Sequence, residues 1–247
     1  MFIHRKLVLL ILVLTLDGQV HAGEIVGGHK AKPHSRPYMV ILKLHMQNGK
    51  TECCGGFLLN QDFVMTAAHC QASSYTVLLG VHNAHNSNEI QKICVEQTFP
   101  HDDYSATDFK NDIMLLKLSS KAKLSKNVRP VALAGPDDAS LPKSCIVSGW
   151  GATDRNIDLL SNVLMEANVT LVDSVLCPNQ NLYCSEGETG PGKGDSGGPL
   201  ICEDEKAYGV VSAGFIPSSG GKLMCCYTKI PDYRSWIDSI MKHHGKL

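Results

Sequence analysis

The sequence predicts an all-β protein of two barrels or sandwiches with one C-terminal helix. Two observations carry that expectation, and a third bears on its cross-linking. Short runs rich in apolar and β-branched residues recur between Gly, Asn, Asp and Pro, as strands bounded by turns do. Helical periodicity is scarce until residues 231–244. Ten cysteines follow an apolar leader, which points to an oxidising compartment and disulfide cross-links.

The elements follow in chain order. Arg5 and Lys6 precede an apolar run from Leu7 to Leu16, and Val20-His21-Ala22 supplies the small residues that a signal peptidase needs. Residues 1–22 therefore read as a secretory signal peptide; the apolar run falls short of the roughly 20 residues that span a bilayer. Gly23-Glu24 then stands before Ile25-Val26-Gly27-Gly28, either as a loose cleavage remnant or as a pro-dipeptide. Strands are expected at Phe63–Thr66, Thr76–Leu79, Asp112–Leu118, Cys145–Ser148 and Tyr208–Ser212. The Pro-containing stretch 125–142 reads as the connection between a first unit, about 25–127, and a second, about 128–247. Tyr233, Trp236, Ile237 and Ile240 fall at i, i+3, i+4 and i+7, one face of a helix over 231–244 that starts near Pro231.

Charge excludes some function classes. The formal net charge is −1, and it stays there once Arg5, Lys6, Asp17 and Glu24 leave with the leader and dipeptide. No cationic field points to nucleic acid or to a membrane surface. His82, His85 and His101 lie in polar, loop-like sequence and read as solvated. His82 and His85 would make at best a weak metal pair, with no cysteine or carboxylate cluster beside them, so neither metal nor cofactor is expected. Asn168-Val169-Thr170 is an N-glycosylation acceptor sequence.

One serine stands out. Ser196 follows Gly194-Asp195 and precedes Gly197-Gly198-Pro199, a composition that suits a tight turn and equally suits a nucleophile whose backbone must crowd a substrate. A serine hydroxyl is a weak nucleophile unless a base takes its proton and a third group orients that base. His69 follows an apolar strand and adjoins Cys70, whose disulfide could pin the imidazole; Asp112 heads an apolar strand. Taken singly, they read as an ordinary structural histidine and a turn cap.

Together these segments resemble the chymotrypsin-like serine proteases. The matching words are IVGG at 25–28, TAAHC at 66–70, NDIMLLKL at 111–118, SGWG at 148–151 and GDSGGPL at 194–200, in the family's order and across nearly the whole chain after residue 24. The resemblance implies two packed antiparallel β-barrels of the chymotrypsin type with a C-terminal α-helix. It implies that Ser196 attacks the scissile carbonyl, His69 acts as base and then acid, and Asp112 orients the imidazole. The N–H groups of Gly194 and Ser196 would form the oxyanion hole. The amine of Ile25, once freed, would pair with Asp195, and Gly23-Glu24 would act as a safety catch on that pair. Disulfides Cys54–Cys70, Cys145–Cys202 and Cys177–Cys184 are also implied. Cys53, Cys94, Cys225 and Cys226 are left as free thiols, as two further bridges, or as links in a dimer.

Three features resemble the granzyme, chymase and duodenase branch. The dipeptide ends in Glu24, which suits removal by a dipeptidyl peptidase rather than a trypsin-like activator. The stretch PHSRPYM at 33–39 is typical of the branch. Gly192 stands where most of the family carries a cysteine, and the loop FIPSSGGK at 215–222 has none. The specificity pocket is expected from Gly190, Gly214 and Cys225. With no carboxylate at Gly190 and no arginine at Cys225, it should favour a large apolar or aromatic side chain. The expected protein is a secreted, granule-stored serine endopeptidase of immune defence, met by serpin-type inhibitors. The alternatives are a digestive chymotrypsin-like protease and a catalytically impaired binding protein. Of eleven histidines, His4 and His21 lie in the leader; protonation of the rest in an acidic granule would favour an acidic proteoglycan.

Overall fold

The computed structural model describes residues 25–245 except 86–89, 139–140, 155–156, 176, 178 and 219, and only the backbone of Ile157 and Asp158. The leader and the Gly23-Glu24 dipeptide lie outside the described residues.

Strand β1 (His29–Lys30) is followed by β2 (Met39–His45), β3 (Thr51–Leu58), β4 (Phe63–Thr66), β5 (Ser74–Leu79), β6 (Gln91–Pro100) and β7 (Met114–Leu118). Strands β2 to β7 close an antiparallel barrel in the order β2-β3-β4-β7-β6-β5. The second half contributes β8 (Ser144–Gly149), a small hairpin of β9 (Ala152–Asp154) and β10 (Ile157–Leu160), then β11 (Met165–Val172), β12 (Leu182–Glu186), β13 (Pro199–Cys202), β14 (Ala207–Phe215) and β15 (Met224–Lys229). Strand β8 pairs with both β11 and β13, which closes β8-β11-β12-β15-β14-β13 into a second six-stranded antiparallel barrel. Closure leaves no exposed sheet edge within either ring. The α-helix α1 (Arg234–His244) follows the last strand.

Strand patterning explains the second barrel's inner face. In β11, Met165, Ala167, Val169 and Leu171 are buried while Asn168 and Thr170 are exposed, the period-2 alternation of a sheet with one dry face. Phe63–Thr66 appears as expected, and the other expected strands appear with shifted ends. The largest shift is at Tyr208–Ser212, where β14 runs on to Phe215; at Asp112–Leu118 the ladder begins at Met114. Asn111 adopts a left-handed conformation (φ 56°) and its carbonyl accepts the N–H of Ile113. That tight turn takes Asp112 out of the strand.

Each end of the described span docks on the barrel it does not belong to by sequence. Strand β1 pairs with β11 of the second barrel, and Ile25 is fully buried with Cys145, Val147 and Met165 in that barrel's core. Burying one isoleucine is worth about 1.5–3 kcal/mol. At the other end, Ile237 and Tyr233 of the C-terminal segment join the hydrophobic cluster of the first barrel, with Trp236 and Ile240 packed against it. Pro231–Tyr233 forms a 3₁₀ turn ahead of α1, and Lys242, His243 and His244 lie in the last turn, where the helix dipole favours positive charge. The 125–142 connection crosses between the barrels: Val131 N–H bonds Leu58 O, and Ala134 N–H bonds Ala207 O.

Two histidines read as solvated are not. His82 is half-buried, its carbonyl accepts the indole N–H of Trp150 at 3.1 Å, and burial lowers its pKa. His101 packs its ring against Tyr233 and Trp236, with centroids 5.3 and 5.2 Å away. Both sit where chain segments meet, a tertiary effect that polar neighbours in sequence do not reveal. His85 is exposed and contacts Asn162 at 2.6 Å.

Candidate active site

The site lies where the barrels meet. His69 sits in a one-turn 3₁₀ segment, Ala68–Cys70, directly after β4. The bridge Cys54–Cys70 ties that turn to β3. Asp112, 0 % exposed, receives His69 twice: the backbone N–H donates to Oδ1 at 2.9 Å, and Nδ1 lies 2.7 Å from Oδ2. A carboxylate on Nδ1 sets the imidazole so that Nε2 is left as the basic nitrogen. The rings of Phe109 and His69 stand nearly perpendicular, with centroids 5.9 Å apart.

Second-barrel residues hold Asp112 as well. Ser212 Oγ donates to Oδ2 at 2.5 Å, and Thr228 Oγ1 donates to the backbone carbonyl of Asp112 at 2.9 Å. A buried carboxylate is tolerable only with such partners. The sequence reading missed Ser212 and Thr228, since nothing in their local sequence distinguishes them from other strand hydroxyls.

Ser196 arrives from the loop ahead of β13. Its carbonyl accepts the N–H of Gly55 at 2.7 Å and lies 3.9 Å from Cys70 Sγ, next to His69. Gly194 has φ +99°, a conformation that side-chain-bearing residues rarely adopt. Among the described residues, the N–H groups of Gly194 and Ser196 have no hydrogen-bond acceptor.

Asp195 points away from Ser196 into the protein, 1 % exposed. Its Oδ1 accepts the N–H of Gly151 at 2.7 Å and its Oδ2 the N–H of Gly192 at 2.9 Å. The fit is close enough that a Cβ at Gly151 would come within 2.5 Å of the Asp195 carboxyl carbon. Burial pushes the pKa of Asp195 up to about 6, against the opposing pull of the two N–H groups.

A cavity of about 330 Å³ opens beside Ser196, with Val211, Ser212, Gly214, Leu223 and Cys225 among its walls. Gly214 pairs with Cys225 across β14 and β15. Gly190 closes in behind them: a Cβ there would meet Cys225 Sγ at 3.2 Å. Three residues far apart in sequence thus share one corner, while Lys193, Leu223 and Ala152 join a lining that the sequence reading had not named.

The disulfides are Cys54–Cys70, Cys145–Cys202 and Cys177–Cys184. Cys53, Cys94, Cys225 and Cys226 stand outside these bridges. Among the described residues, one group of His, Cys and carboxylate side chains is close enough for a shared ion: Cys54, His69 and Cys70. Its two sulfurs are bonded to each other.

The sequence model of the trypsin family matches residues 25–237. The chain belongs to the trypsin family. It is 40 % identical to mouse granzyme B(G,H) over 96 % of this chain and 99 % of that one, and equally identical to human granzyme B over the same shares. Bovine duodenase-1 is also 40 % identical, over 96 % of this chain and 97 % of its own. The solved structure of granzyme C (GrC) superposes with a TM-score of 0.79 at 36 % identity, covering 89 % of this chain and all of that one. This trypsin-family chain is a serine endopeptidase, granzyme-like in its relatives and in its two-barrel fold.

Proposed function

We propose that this serine endopeptidase works through Ser196, His69 and Asp112 and cleaves after large apolar or aromatic residues in immune defence. The single observation that carries the mechanism is the doubly bonded His69–Asp112 pair, with Nδ1 at 2.7 Å from a fully buried carboxylate. In this reading His69 Nε2 takes the Ser196 proton as Oγ attacks the carbonyl carbon. The negative charge that develops on the carbonyl oxygen is met by the N–H groups of Gly194 and Ser196, each such donor being worth a few kcal/mol. His69 then protonates the leaving amine, and water releases the acyl group from Ser196 by the reverse proton path.

The cavity supports the substrate preference. Its volume of about 330 Å³ suits an aromatic side chain; Lys193 and Asp154 are the charged residues of its lining, and Gly214 and Cys225 add no charge to it. Two features support activation by removal of Gly23-Glu24: Ile25 is already buried in the second barrel's core, and Asp195 is a buried acid with two N–H partners. A dipeptidyl peptidase fits the acidic dipeptide, and storage in granules before secretion fits relatives named granzymes.

The test is a peptide-library cleavage profile of protein beginning at Ile25, with Ser196→Ala as control. Serine-dependent cleavage after Phe, Tyr, Leu or Met is expected. Cleavage after Lys, Arg, Asp or Glu would overturn the pocket assignment and leave the mechanism standing. Folded, processed protein with no cleavage would overturn both.

A further inference from the structure

We propose that Cys226 is a built-in nucleophile toward the Cys177–Cys184 bridge, so that the chain exchanges between two disulfide isomers, Cys177–Cys184 and Cys184–Cys226. The register of β12 and β15 sets Cys184 directly opposite Cys226. Their sulfurs are 3.6 Å apart, although Cys184 is already bonded to Cys177. Directly opposed residues in an antiparallel pair have Cα atoms about 4.5–5.5 Å apart, within the span a disulfide accepts. Leu182 and Met224 bury the pair with them in one small apolar cluster.

None of the other three cysteines outside the bridges is placed this way. Cys53 and Cys94 lie on one rung of the first barrel, Cys53 opposite Lys43, Lys43 opposite Thr76 and Thr76 opposite Cys94. Three strand spacings, roughly 14 Å, keep them apart. Cys225 faces the substrate cavity from the other side of β15.

The exchange consumes neither oxidant nor reductant. The Cys226 thiolate attacks Cys184 Sγ, and the Cys184–Cys226 bond forms as Cys177–Cys184 breaks. The electron pair leaves on Cys177, which takes up a proton in place of the one Cys226 gave away. Burial pushes the Cys226 thiol up to about 12, so the attacking thiolate is scarce and the exchange is slow. The product differs in two ways. Cys177, half-buried on the wall of a cavity of about 1070 Å³ with Val172, Asn181, Tyr183 and Lys229, becomes a thiol open to modification. Strand β15, whose Cys225 forms part of the substrate cavity, becomes bonded to β12.

The secreted chain would be held in a glutathione redox buffer near pH 8 until its composition is constant, quenched in acid, alkylated, digested and mapped for linked peptides. A Cys184–Cys226 linkage together with alkylated Cys177 is expected, and its absence from Cys226→Ser. Cys177→Ser should form Cys184–Cys226 in the same buffer. Wild-type protein that keeps only Cys177–Cys184, with Cys226 alkylated, overturns the proposal. So does Cys177→Ser with Cys184 and Cys226 both alkylated. If Cys177→Ser is not secreted, the wild-type result decides alone.

Discussion

Ser212 of the second barrel donates a 2.5 Å hydrogen bond to Asp112, which is carried by the first. The accepting oxygen is the same Oδ2 that faces His69 Nδ1. Orientation of the imidazole therefore depends on how the two barrels pack. Ser212→Ala should lower kcat/KM by roughly ten- to a hundredfold with KM nearly unchanged, because a hydrogen bond to a charged acceptor is worth about 1.5–3 kcal/mol. Steady-state kinetics beside a thermal melt would check this; an unchanged kcat would mean that the two His69 contacts suffice.

Asp112→Asn tests the other end of the same network. The amide can present an N–H to His69 Nδ1 and so favour the tautomer that leaves Nε2 protonated. The fall in kcat expected at neutral pH is on the order of 10⁴, the magnitude of the Ser-His-Asp template itself. A burst assay with an activated ester would separate loss of acylation from loss of folding.

The raised pKa of Asp195 gives a pH signature with a definite sign. In the unfolded chain this carboxyl ionises near the ordinary aspartate value of 3.8, but in the folded chain without an amine partner only near 6. The folded state therefore holds its proton longer, and its stability falls as pH rises from about 4 through about 6. The loss is roughly 3 kcal/mol for a shift of this size. A chain that keeps Gly23-Glu24 should show this loss, and one beginning at Ile25 should show less of it, since the new ammonium favours the ionised carboxylate. Thermal unfolding of both forms, each carrying Ser196→Ala, at pH 4, 5, 6 and 7 is the measurement. A constant gap between their melting temperatures would sink the Ile25–Asp195 pairing.

Cys225 offers a direct handle on specificity. It is 2 % exposed and forms a wall of the cavity beside Ser196. Cys225→Arg should cut cleavage after Phe or Tyr by about tenfold or more and introduce cleavage after Asp, because a cation in a small, half-enclosed pocket favours a carboxylate over an apolar ring. Profiles that match wild type would place the specificity pocket elsewhere.

Asn168 stands exposed on β11, with Thr170 exposed on the same face. Secreted protein should lose mass with Asn168→Gln and with glycosidase treatment, to the same extent.

Much of this was legible along the chain. Five short words in order carried the family, because each is confined by chemistry to few residue types: a glycine able to take φ +99° at 194, a carboxylate at 112 and a small residue against Asp195 at 151. The helix showed its face because 3.6-residue periodicity is local. The strand starting at Met114 was placed two residues early, although Asn111 is a residue type that favours the left-handed turn conformation it adopts. His82 and His101 were misjudged because their burial comes from segments distant in sequence.

The sequence by itself determined the reaction class, the disulfide partners and the two-barrel plan, since five of its words in order resemble one family and that resemblance implies all three. Tertiary structure alone decided which barrel each end of the described span covers, that Ser212 and Thr228 grip Asp112, and that Cys226 lies within 3.6 Å of a sulfur already in a bridge. Those relationships join residues far apart in the chain. They follow from strand register and barrel closure, which set side chains face to face whatever their separation in sequence.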